Sequence, residues 1–383
     1  MKKIPIAIPF LGKEEAKEAY NTILSGWVTQ GPKVAEFETK FANYVGSKFA
    51  VAVSNCTTAL HLSMIVAGVK KGDEVICPSM SYIATANSIR YVNATPVFAE
   101  IDRNYNLSLE DTRSKITSKT KAILLVHQMG MPADVKGFQK LCKEKNLVLI
   151  EDAACAIGSS INEKRIGSHS NLVCFSFHPR KVITTGDGGM ITTSDHKISE
   201  RLKLLRQHGM SVNDRVRHES NKVIFEEYLE LGYNYRMTDI QASVGIQQLA
   251  KLDTIISERR KIVNKYMNVL KQYDFIKLPL EPPGSFSNFQ AFPIYLDEHS
   301  PVPRNEFMQL LLDKGISTRR GIMIAHQEPA YNDMNECSLP LTEDLNKNSF
   351  LLPLYHPMSE SDIEYVLSNI SKIISSKSRN LKD

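Results

Sequence analysis

The sequence predicts an α/β fold on three observations. Between Phe49 and Leu205, short β-rich apolar runs alternate with longer amphipathic patterns, the signature of βαβ units whose helices cover a largely parallel sheet. The chain has 383 residues, enough for one large domain and a smaller one. Its composition, 42% hydrophobic and 23% charged, belongs to a packed globular protein and not to a disordered chain.

The strand candidates, in order, are Phe49 to Ser54, Glu74 to Cys77, Ala94 to Phe98, Ala122 to Val126, Leu147 to Glu151, Leu172 to Phe177 and Gly189 to Thr193. Between them, Thr58 to Val69 carries Leu60, Met64 and Ala67 on one helical face, and Val135 to Lys145 opens after Pro132 and Asp134, as helices do. After Thr238 a helical pattern runs through Ile240, Val244, Leu249 and Leu252 to Leu270, long enough to bridge two domains. The boundary is expected near Lys251, with residues 1–250 as the large domain and 251–383 as a smaller α+β domain. In the latter, Phe292 to Leu296 reads as a strand and Asn305 to Lys314 and Ser361 to Ile374 as helices. The polar, lysine-rich end after Ser375 is expected to fray.

Forty-seven Lys and Arg against 42 Asp and Glu give a net charge of +5 without long basic runs, so nucleic acid is not an expected partner. The six cysteines show neither a CxxC pair nor Cys/His zinc spacing, which points to reduced thiols in a cytoplasm and to no metal site. The first apolar stretch is broken by Pro5 and Pro9 and followed by Glu14, Glu15 and Lys17, unlike a signal peptide. Nor does any apolar run approach the roughly 18 to 20 residues that span a bilayer, so a cytoplasmic protein with no membrane partner is expected. The dinucleotide, P-loop, zincin and serine-hydrolase motifs are all missing.

Four segments carry residue types suited to chemistry. In Ser54 to Ala59 a strand gives way to Asn, Cys and Thr at a helix start, a seat for a phosphate, although the same residues cap helices that bind nothing. In Val148 to Ala154 an apolar strand ends in Glu151 and Asp152 at the carboxyl edge of the sheet, where a carboxylate beside a protonated pyridine nitrogen, a helix cap or a metal ligand would each fit. In Cys174 to Gly189 a strand leads to Lys181 and a glycine-rich turn; held in a dry pocket with a lowered pKa, such a lysine is a nucleophile for an aldehyde. In Leu231 to Asp239 a polar aromatic stretch precedes the long helix, with Thr238 or Asp239 as its cap. Tyr82, on the loop after Pro78, packs or stacks on a flat ligand ring. His127 and His208 read as structural hydrogen-bonding groups.

Together these segments resemble the DegT/DnrJ/EryC1/StrS family of pyridoxal-phosphate-dependent sugar aminotransferases. The resemblance runs through Ser25 to Pro32, Ser54 to Leu62, Pro78 to Asp102, His127 to Asp134, Glu151 to Gly158, Phe175 to Thr193, Gly232 to Asp239 and Gly315 to Tyr331. It implies the aspartate aminotransferase type I fold, a large mixed, mostly parallel sheet covered by helices plus a smaller C-terminal α+β domain. Lys181 then matches the Schiff-base lysine, and Asp152 the carboxylate that keeps the pyridine nitrogen protonated. Tyr82 matches the stacking aromatic, Thr57 and Ser176 with the backbone around Cys56 match the phosphate contacts, and Asn234 matches a residue reaching the phosphate from the neighbouring subunit of a homodimer. Trp27, Thr29, Gln30, Arg319, Arg320 and His326 are the implied sugar-nucleotide contacts. The reaction implied moves an amino group from L-glutamate through pyridoxamine phosphate to a nucleotide-linked keto sugar, a 4-keto-6-deoxy or 3-keto hexose, in amino-sugar biosynthesis for a surface polysaccharide or related glycan.

Two positions depart from the family pattern. Cys56 stands where many members carry Gly, and Cys155 stands where Gln or His often contacts the cofactor ring oxygen. Two rival readings share the fold. A sugar dehydratase using pyridoxamine phosphate carries His in place of the lysine, so Lys181 argues against it; a catalytically inactive sugar-nucleotide-binding protein would have no reason to keep Thr57, Asp152, Ser176, Lys181 and Asn234 together.

Overall fold

In the computed structural model, which describes residues 2–212, 221–332, 334 and 337–380, the apolar runs pair into a seven-stranded sheet. Its strands are β1 (Phe49–Val53), β2 (Glu74–Pro78), β3 (Thr95–Ala99), β4 (Thr120–Val126), β5 (Val148–Asp152), β8 (Val173–Ser176) and β9 (Gly189–Thr193), in the order β1-β9-β8-β5-β4-β2-β3. β9 runs antiparallel to both neighbours, while the pairs from β8 to β3 are parallel, giving the mixed, mostly parallel sheet expected. Pro96 is tolerated because β3 is an edge strand, where a missing N–H breaks no ladder.

Helices α1 (Lys13–Leu24), α2 (Pro32–Val45), α3 (Cys56–Val66), α4 (Ala84–Tyr91), α5 (Leu109–Ser114), α6 (Val135–Lys145) and α7 (His196–Leu205) belong to this part of the chain. α3 begins two residues before the sequence pattern suggested, because Asn55 caps it: its Oδ1 accepts the Thr58 amide at 2.9 Å. Two short strands that the sequence reading passed over, β6 (Ser160–Ile161) and β7 (Lys164–Arg165), form a hairpin extended by β11 (Ser285–Phe286).

The long helix, Asp239–Leu270, is capped by Thr238, whose hydroxyl accepts the Gln241 amide at 3.2 Å. Ala242, Ile246, Leu249, Leu252, Ile255 and Ile256 pack into the core beneath the large sheet. From Ile262 onward, Val263, Tyr266 and Leu270 pack instead with Phe292, Phe307 and Phe350 in a second core. Between the two sets, buried Arg259 donates to the carbonyls of Phe289, Gln290 and Leu354. The second core lies on a four-stranded sheet ordered β10-β12-β14-β13, built from Ile276–Lys277, Phe292–Leu296, Ser349–Leu352 and Arg319–Arg320. Ile4 pairs with Ile316, so the start of the chain packs there too.

The end of the chain departs from expectation: helix Glu360–Asn380 continues past Ser375. Buried Ile370, Ile373 and Ile374 anchor it, and Lys377 reaches Glu306 at 2.5 Å. Residues 381–383 lie outside the described residues. Among the described residues no helix is long and apolar enough to cross a membrane.

Candidate active site

The site is built where β1, β5 and β8 end and the antiparallel β9 begins. Val53 pairs with Gly189 and Gly189 with Ser176, so the α3 entrance and buried Ser176 lie in one row across the sheet. Glycine is required at 189 by close approach: a Cβ there would meet the Asn55 carbonyl carbon and oxygen at 2.5 Å and the Cys56 amide nitrogen at 2.8 Å. Because Asn55 takes the Thr58 amide, the Cys56 and Thr57 amides are the first-turn donors left to face an anion, with the helix dipole behind them.

Asp152 ends β5 between Val126 on β4 and Cys174 on β8 and is nearly inaccessible. Its Oδ1 accepts the Ala154 amide at 3.1 Å, and its Oδ2 accepts the Thr85 hydroxyl at 2.9 Å. Its neighbour Glu151 points the other way, bonding His127 Nε2 at 2.8 Å, while His127 Nδ1 accepts the Ala133 amide at 3.0 Å. That pair is internal packing, as read for His127.

Lys181 stands in the loop after β8, its amide bonded to the His178 carbonyl at 2.8 Å and its Nζ 3.1 Å from Cys155 Sγ. The sequence reading asked for a lowered lysine pKa; the structure does the reverse. Burial pulls Lys181 down, but Cys155, Asp152 and Cys56 together outweigh it and push it above the usual lysine value. Cys56 is buried beside Asp152, and burial, then the Asp152 charge, hold its thiol well above the usual range. Lys181, Asp152, Cys155 and Cys56 therefore lie close together, beside the strand row that carries Ser176 and the start of α3 with Thr57.

The remaining candidates lie further out. Tyr82 is 66% exposed on the turn into α4. Arg319 shares its surroundings with Arg180, Tyr82 and Arg320; burial, then the two arginines, lower its pKa. Arg320 pairs with Glu328 at 3.4 Å. His326 has both ring nitrogens engaged, Nδ1 with Ser79 Oγ at 2.6 Å and Nε2 with Glu343 at 3.2 Å, so it ties two segments together.

Trp27, Thr29 and Gln30 form the approach to α2: the Thr29 carbonyl accepts the Asp239 amide at 2.9 Å, and Gln30 meets Gln207 at 3.4 Å. Gln207 in turn bridges to Asn234, which is exposed, while its neighbours Tyr233 and Tyr235 stack on each other at 5.0 Å and pack against His61 of α3.

Three residues that position these groups escaped the sequence reading. Ser81 and Thr85, hydrogen-bonded at 2.6 Å, sit behind Asp152; their spacing across the first turn of the helix after β2 was the available signal. Asp239, considered only as a cap for its own helix, caps α2 instead, accepting the amides of Gly31, Lys33 and Val34 at 2.7, 3.0 and 3.0 Å.

Volume alone would not locate this site. A cleft of about 840 Å3 lies elsewhere, between Tyr44, Arg165, Asp253, Arg260 and Phe286, but its arginines are already committed, Arg165 over the Tyr44 ring and Arg260 to Glu281 and over Phe286. The Lys181 pocket offers a backbone cradle for a phosphate, a buried carboxylate for a ring nitrogen and an amine for an aldehyde. That donor set fits pyridoxal phosphate.

Residues 9–371 match the DegT/DnrJ/EryC1/StrS aminotransferase family. The spore coat polysaccharide biosynthesis protein SpsC of Bacillus subtilis is 34% identical over 377 residues, covering 97% of both chains. GDP-perosamine synthase of Escherichia coli O157:H7 is 34% identical over 379 residues, 98% of this chain and all of that protein. The solved PMP form of Spr1654 from Streptococcus pneumoniae, a putative sugar aminotransferase by its published description, superposes with a TM-score of 0.92 at 26% identity over 98% of this chain and all of that one; its PLP form gives 0.90 at 25% identity with the same coverage. Similarity that runs from end to end, over a pocket holding both the lysine and the carboxylate, leaves one assignment: the chain belongs to the DegT/DnrJ/EryC1/StrS aminotransferase family.

Proposed function

We propose that this aminotransferase uses pyridoxal phosphate to move an amino group from L-glutamate to a nucleotide-linked keto sugar, and that it works as a homodimer. The observation that carries this reading is the convergence of Lys181 and Asp152 at one sheet edge beside the α3 N-terminus. The sugar substrate is supported by relatives named for perosamine and spore coat polysaccharide synthesis.

Bound here, the cofactor supplies an aldehyde that accepts the amino group and a protonated ring that accepts an electron pair. Asp152 would face the ring nitrogen. Ser176, Thr57 and the Cys56 and Thr57 amides would hold the phosphate. Tyr82 offers its ring as a stacking face. Lys181 would hold the cofactor's aldehyde carbon, and its amine, when free, would be the group placed to move a proton at the carbon bearing the nitrogen. Cys155, at a place where the resemblance often puts Gln or His, stands next to that amine and would itself offer the ring oxygen neither an amide nor an imidazole. Arg319 and Arg320 suit a diphosphate, with Trp27, Thr29 and Gln30 at the sugar end.

The dimer is supported by Asn234, turned outward while Tyr233 and Tyr235 turn in, and by exposed Val223, Phe225 and Leu231 on the same segment. The test is to incubate the chain with L-glutamate and nucleoside-diphosphate 4-keto-6-deoxy- or 3-keto-hexoses and follow 2-oxoglutarate and the amino sugar by mass spectrometry. Stoichiometric formation of both supports the reading; neither product from any keto sugar overturns it.

A further inference from the structure

Two side chains to which the resemblance assigned no role stand directly behind the carboxylate of Asp152. Thr85 and Ser81 are 1% and 4% exposed, in a part of the protein where a hydroxyl without a partner is costly. Thr85 Oγ1 lies 2.9 Å from Asp152 Oδ2 and 2.6 Å from Ser81 Oγ. A carboxylate oxygen only accepts, so the one hydroxyl hydrogen of Thr85 points at Asp152. Thr85 must then accept from Ser81, and the direction of the chain is fixed: Ser81 donates to Thr85, which donates to Asp152. With Oδ1 on the Ala154 amide, both carboxylate oxygens are held at one lone pair each, and the plane of the group cannot turn. We infer that Thr85 is the positioning residue for Asp152, locking the carboxylate with its remaining lone pairs toward the ring nitrogen of the cofactor, and that Ser81 locks Thr85.

The origin of the device is local. Thr85 lies in the first turn of α4, and the Tyr82 carbonyl accepts the Thr85 amide at 3.0 Å, so the turn that presents Tyr82 also aims the threonine at the end of β5. One turn of chain thereby serves the face and the nitrogen of the same ring.

The inference rests on the proposed cofactor, and its test separates the two. The full-length chain, freed of cofactor, is titrated with pyridoxal phosphate and with its 1-deaza analogue, in which the ring nitrogen is a CH group, and the ratio of the two dissociation constants is compared among variants. Wild type is expected to prefer the pyridine. Thr85→Val keeps the shape but loses the donor, and the preference is expected to fall by about tenfold. Thr85→Ser, which keeps the hydroxyl, is expected to restore it, and Ser81→Ala to lower it in the same direction by less. A structural defect weakens both compounds alike and leaves the ratio unmoved. An unchanged ratio in both Thr85→Val and Ser81→Ala overturns the positioning role while leaving the cofactor assignment standing. Failure of wild type to bind either compound overturns both.

Discussion

Lys181 Nζ lies 3.1 Å from Cys155 Sγ, so the amine at the centre of the site is paired with a thiol. Burial opposes the charged amine, yet the sulfur and Asp152 win, and the net shift is upward from 10.5. Removing the thiol while keeping the burial is therefore expected to lower it. Competitive acylation of the cofactor-free chain across pH, read on the Lys181 peptide, checks this: Cys155→Ala should become reactive at lower pH than wild type.

The same shift sets a stability window. A lysine raised by folding contributes stability that is complete below pH 10.5 and is lost as pH rises through its folded value. Denaturant midpoints of the cofactor-free chain should therefore fall in alkaline solution, and by a smaller amount in Cys155→Ala. Identical alkaline slopes for the two chains would contradict the coupling.

Gly189 keeps β9 against the α3 entrance. Gly189→Ala drives a methyl into backbone atoms at 2.5 Å, which a rotamer change cannot relieve. We expect a loss of about 1–3 kcal/mol in urea unfolding, together with weaker phosphate binding from a displaced helix terminus. Unaltered stability and cofactor affinity would show that the strand and helix can separate freely.

Asp239 is 1% exposed and satisfies three amides at the start of α2, which begins at Gly31-Pro32 without a side-chain cap of its own. Asp239→Ala leaves those donors buried, and a loss of about 2 kcal/mol or more is expected. Because Trp27, Thr29 and Gln30 hang from the same junction, the Michaelis constant for the keto sugar should rise more than that for L-glutamate. Equal changes in both would detach this loop from the sugar.

Asp152→Asn removes charge from the base of the pocket and retains an acceptor for Thr85. Cofactor is expected to stay bound, whereas the single-turnover rate with L-glutamate should fall by about a hundredfold or more. Rapid-scanning absorbance measures it, and an unchanged rate would mean that another group holds the ring nitrogen.

What the sequence made legible was local. The pattern of the long helix from Thr238 to Leu270 and the strand Phe292 to Leu296 appear at those bounds, because periodicity and caps are properties of neighbouring residues. Asp152 and Lys181 stood out because one ends a strand and the other follows a strand, both at the same edge of the sheet. The remote cap from Asp239 to α2, the bond from Thr85 to Asp152, and the two-residue strand Arg319–Arg320 on the edge of the smaller sheet left no periodic trace. Nor could the sign of the Lys181 shift be read from the loop, since it depends on Cys56, Asp152 and Cys155, contributed by two other segments.

The role of Lys181 is tested most directly by reducing the pyridoxal-phosphate-loaded protein with borohydride, before and after L-glutamate, and mapping the modified peptide by mass. The result expected is a phosphopyridoxyl group on Lys181 before the amino acid is added and its absence when glutamate is added first. An adduct on a different lysine, or none, would contradict the assignment of Lys181 as the residue that holds the cofactor.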